Sequence, residues 1–288
     1  MTFEFKDFKQ SAISNSNHYA VVGHPIGHSL SPLMHQTALN HYQMEARYIA
    51  LDVDPSELSS FITWCNEKSF LGCNVTIPYK RQLLDAVDEL DEIASKLKVI
   101  NTIHKEDGSL KGYNTDLHGF LQPLNEFQDV FEPDRAIIFG TGGASMAVLH
   151  GLQSIGFQEV IFISRNPRNH EVINHHIAVE VVDYSQWTNF ADEASLIVNT
   201  TPLGMFPNVN ESPVRESESP FLADKICYDL VYNPIKTKFL KQAERENAII
   251  INGLEMLIQQ GNKSFEIWTG KTFPLNEVRQ TLLNKFQK

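Results

Sequence analysis

The chain has 288 residues, 42% of them hydrophobic and 20% charged, with a formal net charge of −11. That length suits about two domains, and the composition excludes wholesale disorder. The acidic balance argues against nucleic acid or an anionic membrane surface as partner, since both reward basic patches, and no apolar run reaches the roughly 20 residues of a membrane span.

Residues 1–17 mix Glu4, Lys6, Asp7 and Lys9 with scattered phenylalanines and show neither the apolar core nor the cleavage site of a secretory signal. Cys65, Cys73 and Cys227 form no C-x-x-C pair, so no disulfide framework or zinc ribbon is indicated. A soluble protein of the reducing cytoplasm is the expectation. Residues 19–23 (YAVVG) read as a buried strand, and Ser31-Pro32 as an N-cap followed by proline at the first helical position, opening a helix to about Tyr42. Residues 48–53 read as a second strand, and Asp54-Pro55 begins a helix carrying Leu58, Phe61, Ile62 and Cys65 at helical spacing. A third strand, 70–77, stops at Pro78. Residues 80–97 read as mostly helical, and 100–104 with 109–113 as a hairpin around Asp107-Gly108. Alternating strands and helices imply parallel strands with helices packed on them.

A second alternation begins at Arg135. Strands are expected at 136–139, 160–163, 177–182, 196–199, 226–230 and 248–251, with a helix to about Ile155 after the first. Residues 206–220 hold three prolines and many polar side chains and read as a loop. Residues 255–268 and 276–286 read as helices.

Gly140-Thr141-Gly142-Gly143-Ala144 follows a strand and opens a helix, the context in which a glycine loop brings backbone N–H groups to a pyrophosphate. The spacing is not strict G-x-G-x-x-G, and the plainer reading is a tight strand–helix turn. After the next strand comes Ser164-Arg165-Asn166-Pro167-Arg168, with two guanidiniums and no acid. That suits a ribose 2′-phosphate and favours NADP over NAD, against the reading of a solvated basic turn. In the first half, Ser29 and Ser31, Asn74 and Thr76, Lys80, Asn101, and the run Tyr113-Asn114-Thr115-Asp116 fall at strand ends and helix starts, where open parallel sheets bind ligands. Each has a bland reading: Ser31 as a cap, Asn101 as a turn residue, Lys80 as a solvated charge.

Other features favour ordinary structure. His24, His28, His35 and His41 show no metal-ligand spacing, so no metal is expected. Asp85, Asp88, Glu89, Asp91 and Glu92 read as a solvated helix face, and Phe265 with Trp268 as core. No G-x-S-x-G elbow supports a serine hydrolase.

The motifs HPIGHSLSP (24–32), NVTIPYK (74–80), NTI (101–103), GYNTD (112–116), GTGGAS (140–145), NTTPLGM (199–205), YDLVYNP (228–234) and GLEMLIQQ (253–260) occur in that order. In this the sequence resembles the bacterial shikimate 5-dehydrogenases from Tyr19 to the C-terminal helix. The resemblance implies an α/β fold: a substrate domain of 1–117 completed by 255–288, and a Rossmann-type NADP domain of 118–254. It implies reduction of 3-dehydroshikimate to shikimate with NADPH, Lys80 and Asp116 being the catalytic pair. Substrate contacts would be Ser29, Ser31, Thr76, Lys80, Asn101, Asp116, Tyr232 and Gln260. Nucleotide contacts would be Gly140, Thr141, Gly142, Gly143, Ala144, Ser164, Arg165, Asn166, Arg168, Leu230 and Gly253. The chemistry agrees: carbonyl reduction needs a proton on oxygen, which the cofactor does not supply and a lysine ammonium held by a carboxylate can. The expected partner is a small molecule, with the protein a monomer or homodimer. Two rivals are a dehydrogenase using quinate or NAD, and a non-catalytic sensor, which would have lost Lys80 or Asp116. Departures from the family pattern include His24 in place of asparagine, Thr141 in place of alanine, and Arg168 one place early.

Overall fold

Long apolar runs form the strands at the centre of two sheets. A computed structural model describes residues 1–67, 69–130, 132–167 and 177–286. The chain divides into two compact units, Met1–Asp116 with Gln260–Lys288, and Leu117–Gln259.

The first unit contains β1 (Thr2–Glu4), α1 (Phe5–Gln10), β2 (His18–Gly23), α2 (Ser31–His41), β3 (Arg47–Asp52), α3 (Leu58–Trp64), β4 (Phe70–Val75), β5 (Glu89–Leu90), α4 (Glu92–Leu97), β6 (Thr102–Glu106) and β7 (Ser109–Tyr113). Its sheet runs β1-β3-β2-β4-β6-β7-β5. The first four strands in that order are parallel, and β6 is antiparallel to both neighbours. All six residues of β2 are buried, as a strand covered on both faces requires. Chain order reverses at β2, with β3 on one side and β4 on the other, so the crevice beyond Gly23 and Val75 is the topological switch point. The extreme N-terminus is part of the fold: β1 pairs with β3, and Phe5 and Phe8 of α1 are buried in the core.

The second unit opens with α5 (Asp116–Asn125) from Leu117 onward. It continues through β8 (Arg135–Phe139), α6 (Gly143–Ser154), β9 (Glu159–Ser164), β10 (Ala178–Asp183), β11 (Ala194–Asn199), β12 (Ile226–Asp229), α7 (Lys238–Arg245) and β13 (Ile249–Ile251). The sheet is parallel throughout, in the order β10-β9-β8-β11-β12-β13. Numbered from β8, that is 3-2-1-4-5-6, the order of the Rossmann-type dinucleotide fold. Side chains alternate along β8: Ala136 and Ile138 pack with Phe120, Val148 and Leu152, while Ile137 and Phe139 pack with Trp187, Phe239 and Leu240. Both faces are therefore covered. The last helices are α8 (Gly253–Thr269), whose residues from Gln260 belong to the first unit, and α9 (Leu275–Phe286).

Three local expectations are corrected. Residues 80–97 are not one helix. A 3-10 turn at Leu84–Ala86 and the short β5 precede α4. Asp88 accepts from the Leu110 amide at 2.7 Å and the Ser109 hydroxyl at 3.1 Å, and Asp91 caps α4 by accepting from the Ala94 amide at 2.8 Å. These aspartates bind backbone donors, which ends a helix rather than lining its solvated face. Ser31 is not an N-cap: Leu30 holds that position, and the buried Ser31 donates its amide to the Ser29 hydroxyl at 3.3 Å. The segment 206–220 is partly regular, because Glu216–Leu222 forms a 3-10 helix that buries Ser219 and Leu222.

Candidate active site

In the first unit, the candidate site side chains hang from the carboxyl ends of β2 and β4 and from the turns beside the β6–β7 hairpin. Lys80 lies on the turn after β4, where its carbonyl accepts from the Ile100 amide at 2.9 Å. Asn101 is anchored by Val75 N donating to its carbonyl at 2.8 Å and by its own amide donating to Tyr113 O at 3.0 Å. Asp116 follows Tyr113 by three residues and opens α5. These anchors bring together groups that are 36 residues apart in sequence. Lys80 Nζ donates to Asp116 Oδ2 at 2.5 Å, and Asn101 Nδ2 donates to Asp116 Oδ1 at 2.8 Å. Both carboxylate oxygens are thereby engaged. Lys80 and Asp116 side chains are 30% and 16% exposed, so the pair is sheltered yet reachable from solvent.

Behind this pair runs a buried polar network. Asn101 Oδ1 accepts from the Thr115 amide at 2.8 Å, and Thr115 Oγ1 lies 3.1 Å from Ser264 Oγ on α8. Ser264 bonds Thr102 at 2.8 Å, and Asn74 Nδ2 donates to Ser264 at 2.9 Å. Tyr48 completes the network by donating to Asn74 Oδ1 at 2.6 Å. A satisfied network of this kind fixes rotamers where an isolated buried polar group would cost stability. Gln260 joins it through its backbone, its carbonyl accepting from Ser264 Oγ at 3.0 Å. Ser29 and Ser31 form their own bonded pair after β2. Thr76 is held against Gly23, its amide donating to Val22 O at 2.9 Å. Of His24, His28, His35 and His41, three have separate surroundings: His24 bonds Asp52 at 2.6 Å, His41 bonds Glu277 at 2.9 Å, and His35 lies among aromatic rings. Among the described residues, no group of three or more His, Cys, Asp or Glu side chains is placed to hold a metal ion.

In the second unit, the turn from β8 to α6 carries Gly140, Thr141, Gly142, Gly143 and Ala144. Gly140 has φ +102°, a backbone conformation favouring glycine, and its amide donates to Ile163 O at 2.9 Å. A Cβ there would meet Thr200 Oγ1 at 2.7 Å, whereas Gly142 and Gly143 face open space. Gly142 is the N-cap of α6 and brings no side-chain cap, so a ligand can approach the first-turn N–H groups. Ser164 is buried at the end of β9 and accepts from the Asn166 amide at 3.2 Å, while Arg165 and Asn166 are exposed. Arg168 lies outside the described residues. Tyr232 follows β12, and Leu230 beside it lies against Gly253.

Comparison with known proteins places this architecture. The model of the shikimate dehydrogenase substrate binding domain matches residues 21–103, and that of the shikimate 5′-dehydrogenase C-terminal domain matches residues 253–283. The chain is 38% identical over 273 residues to a shikimate dehydrogenase (NADP(+)) of Moorella thermoacetica, covering 91% of each. The chain belongs to the shikimate dehydrogenase family. It resembles the crystal structure of the family's Thermus thermophilus enzyme in complex with NADP(H) and shikimate, with TM-score 0.81 and 30% identity, covering 93% of this chain and 99% of that one. It also resembles quinate dehydrogenase from Corynebacterium glutamicum in complex with NAD, with TM-score 0.85 and 27% identity over 93% and 99%.

Several residues that support this candidate site were left without a role by motif reading. Ser264 and Tyr48 gave no signal, since their partners lie far away in sequence. Asn199 and Asp229 did give one: each is a buried polar residue closing a largely apolar strand. Gly253 yields a direct prediction. A Cβ there would stand 2.1 Å from Leu230 O and 2.5 Å from Leu230 C, both backbone atoms. Gly253→Ala is expected to cost about 1–3 kcal/mol of stability, read as a lower urea midpoint at unchanged slope.

Proposed function

We propose that this protein is a shikimate dehydrogenase, interconverting 3-dehydroshikimate and shikimate with NADP in aromatic amino acid biosynthesis. The observation that carries the reading is the Lys80–Asp116–Asn101 cluster, with Lys80 Nζ on one carboxylate oxygen at 2.5 Å and Asn101 on the other at 2.8 Å. The unit of Met1–Asp116 with Gln260–Lys288 serves as the substrate domain, and Leu117–Gln259 as the nucleotide domain.

When bound, NADPH would supply the hydride that the carbonyl carbon takes up. Lys80, as an ammonium, hydrogen-bonds the carbonyl oxygen, polarises it and delivers the proton. Asp116 fixes the direction of the lysine, and Asn101 fixes Asp116. In the oxidative direction Lys80 receives the proton from the substrate hydroxyl. Ser29 and Ser31 bind the substrate carboxylate through hydroxyl donors, while Thr76, Asn101 and Gln260 orient the ring. The residues fit the nucleotide: Gly140, Thr141, Gly142, Gly143 and Ala144 would hold the pyrophosphate at the uncapped start of α6. Ser164, Arg165, Asn166 and Arg168 would hold the ribose 2′-phosphate, with Leu230 and Gly253 completing the site. The absence of a carboxylate at positions 164–168 supports NADP over NAD. Three free, buried cysteines support a cytoplasmic location, and among the described residues no helix is long and apolar enough to cross a membrane.

The test mixes purified protein with shikimate or quinate and NADP⁺ or NAD⁺ at alkaline pH, following nicotinamide absorbance. The highest kcat/KM is expected for shikimate with NADP⁺. No turnover of that pair overturns the reading, and a preference for quinate or NAD⁺ replaces it with the second member of the family.

A further inference from the structure

Asp229 is the last residue of β12 and has no exposed surface. Three donors from separate segments converge on its carboxylate. Asn199 Nδ2 at the end of β11 donates to Oδ1 at 2.9 Å, the Val231 amide donates to Oδ1 at 3.0 Å, and Thr237 Oγ1 donates to Oδ2 at 2.6 Å. Each donor governs a loop. Asn199 Oδ1 accepts from the Thr201 amide at 3.0 Å and the Thr201 hydroxyl at 2.6 Å, and Asn199 Nδ2 reaches Leu203 O at 3.3 Å, which shapes the turn after β11. Thr237 is the buried N-cap of α7, accepting from the Leu240 amide at 3.3 Å. Val231 accepts from the Gly253 amide at 3.3 Å, which ties the turn after β12 to the start of α8, and Phe206 N donates to Asn233 O at 2.9 Å, which ties the turns after β11 and β12. Thr200, in the first of these turns, donates amide and hydroxyl to Phe139 O and abuts Gly140 of the glycine turn.

A buried carboxylate is a costly way to join loops. Its partners are neutral groups, and burial pushes its carboxyl up to about 7 against the pull of the three hydrogen bonds. An acceptor-only group nevertheless suits this position, because every group aimed at it is a donor. An asparagine would present an amide nitrogen to one of them.

We infer that Asp229 is a positioning residue for the nucleotide: its carboxylate locks the turns after β11 and β12 into one frame that sets Leu230, Gly253 and the neighbour of Gly140 at the distances a dinucleotide requires. This inference rests on the proposed NADP-binding reading. Asp229 acts through the backbone it holds and touches no reacting atom. Its loss therefore weakens nucleotide binding selectively.

The experiment measures NADP⁺ dissociation constants by calorimetry, shikimate KM, and thermal unfolding for the full chain and for Asp229→Asn, Thr237→Val and Thr237→Ser. Asp229→Asn is expected to weaken NADP⁺ about tenfold or more while shikimate KM moves less than threefold. Thr237→Val, which removes one donor, should weaken NADP⁺ severalfold, and Thr237→Ser should restore it. If Asp229→Asn does not fold, the Thr237 pair decides. Folded variants that bind NADP⁺ within twofold of wild type overturn the inference, as do parallel losses of NADP⁺ and shikimate binding or a serine variant that fails to restore. Wild-type protein that binds no NADP⁺ overturns the nucleotide reading, and this inference with it.

Discussion

Lys80→Ala is expected to lower kcat for shikimate oxidation by roughly 10²–10⁴, the span for removing a positioned acid–base group, with the NADP⁺ dissociation constant within about threefold of wild type. The split follows from where the residue sits. Lys80 belongs to the unit Met1–Asp116 with Gln260–Lys288, and the glycine turn to Leu117–Gln259. Asp116→Asn should fall in the same range, because the amide keeps the shape but returns a donor toward the ammonium now held at 2.5 Å. Two residues acting as one unit give strongly non-additive losses, so the double variant Lys80→Ala/Asp116→Asn should be little worse than either single one. Initial rates at saturating shikimate and NADP⁺, with a calorimetric titration of NADP⁺, settle both parts. A loss under tenfold for Lys80→Ala moves the proton donor elsewhere, and additive losses show that the two side chains act separately.

The legible parts of this molecule were those with local causes. Buried runs such as YAVVG and AIIF announce parallel strands, Asp107-Gly108 announces the hairpin with both residues at positive φ, and a glycine run between strand and helix announces α6. The misread stretch, 80–97, has leucines at helical spacing, but Asp88 and Asp91 satisfy backbone donors, one of them on β7, that no periodicity reveals. Strand order was hidden for the same reason, since 3-2-1-4-5-6 depends on which strands meet. The supports of the site were the least visible. Asn74 and Ser264 are 190 residues apart, and Asn199 and Asp229 are 30 apart. The motifs therefore contained Asn74, Asn101, Thr102 and Thr115 beside Lys80 and Asp116, and omitted the hydroxyls of Tyr48 and Ser264 that tie them together. Those groups are uncharged, small and common, and only their convergence sets them apart.

Acid is expected to destabilise the protein through a histidine that takes no part in the chemistry. His35 on α2 is fully buried, stacked on Tyr48 at 4.2 Å between ring centroids and flanked by Trp268 at 5.2 Å and Phe273 at 5.0 Å. Among the described residues, neither ring nitrogen has a hydrogen-bond partner. Burial lowers its pKa from 6.5 to about 3, the nearby Asn74 amide offsetting little of that. The unfolded chain therefore binds a proton below about pH 6.5 that the folded chain refuses until about pH 3. Stability is unaffected by this group above pH 6.5 and is lost progressively as pH falls through that window, by about 3 kcal/mol at pH 4. His35→Phe keeps an aromatic ring in an aromatic pocket and removes the proton. The variant should match wild type within about 1.5 kcal/mol at about pH 8 and exceed it at about pH 4, so that the difference between the two urea unfolding curves isolates His35 from every carboxylate that also titrates. His18, whose pKa burial also lowers, keeps some acid sensitivity in the variant. Equal pH slopes for the two proteins would show that His35 finds a proton acceptor when folded. The ring beneath His35 belongs to Tyr48, which anchors Asn74 and, through it and Ser264, the residues that hold Asp116. Protonating His35 thus loosens the structure from behind the Lys80–Asp116 pair, so activity lost in an acid pulse should return, once the pH is raised, at the rate of refolding and not at once.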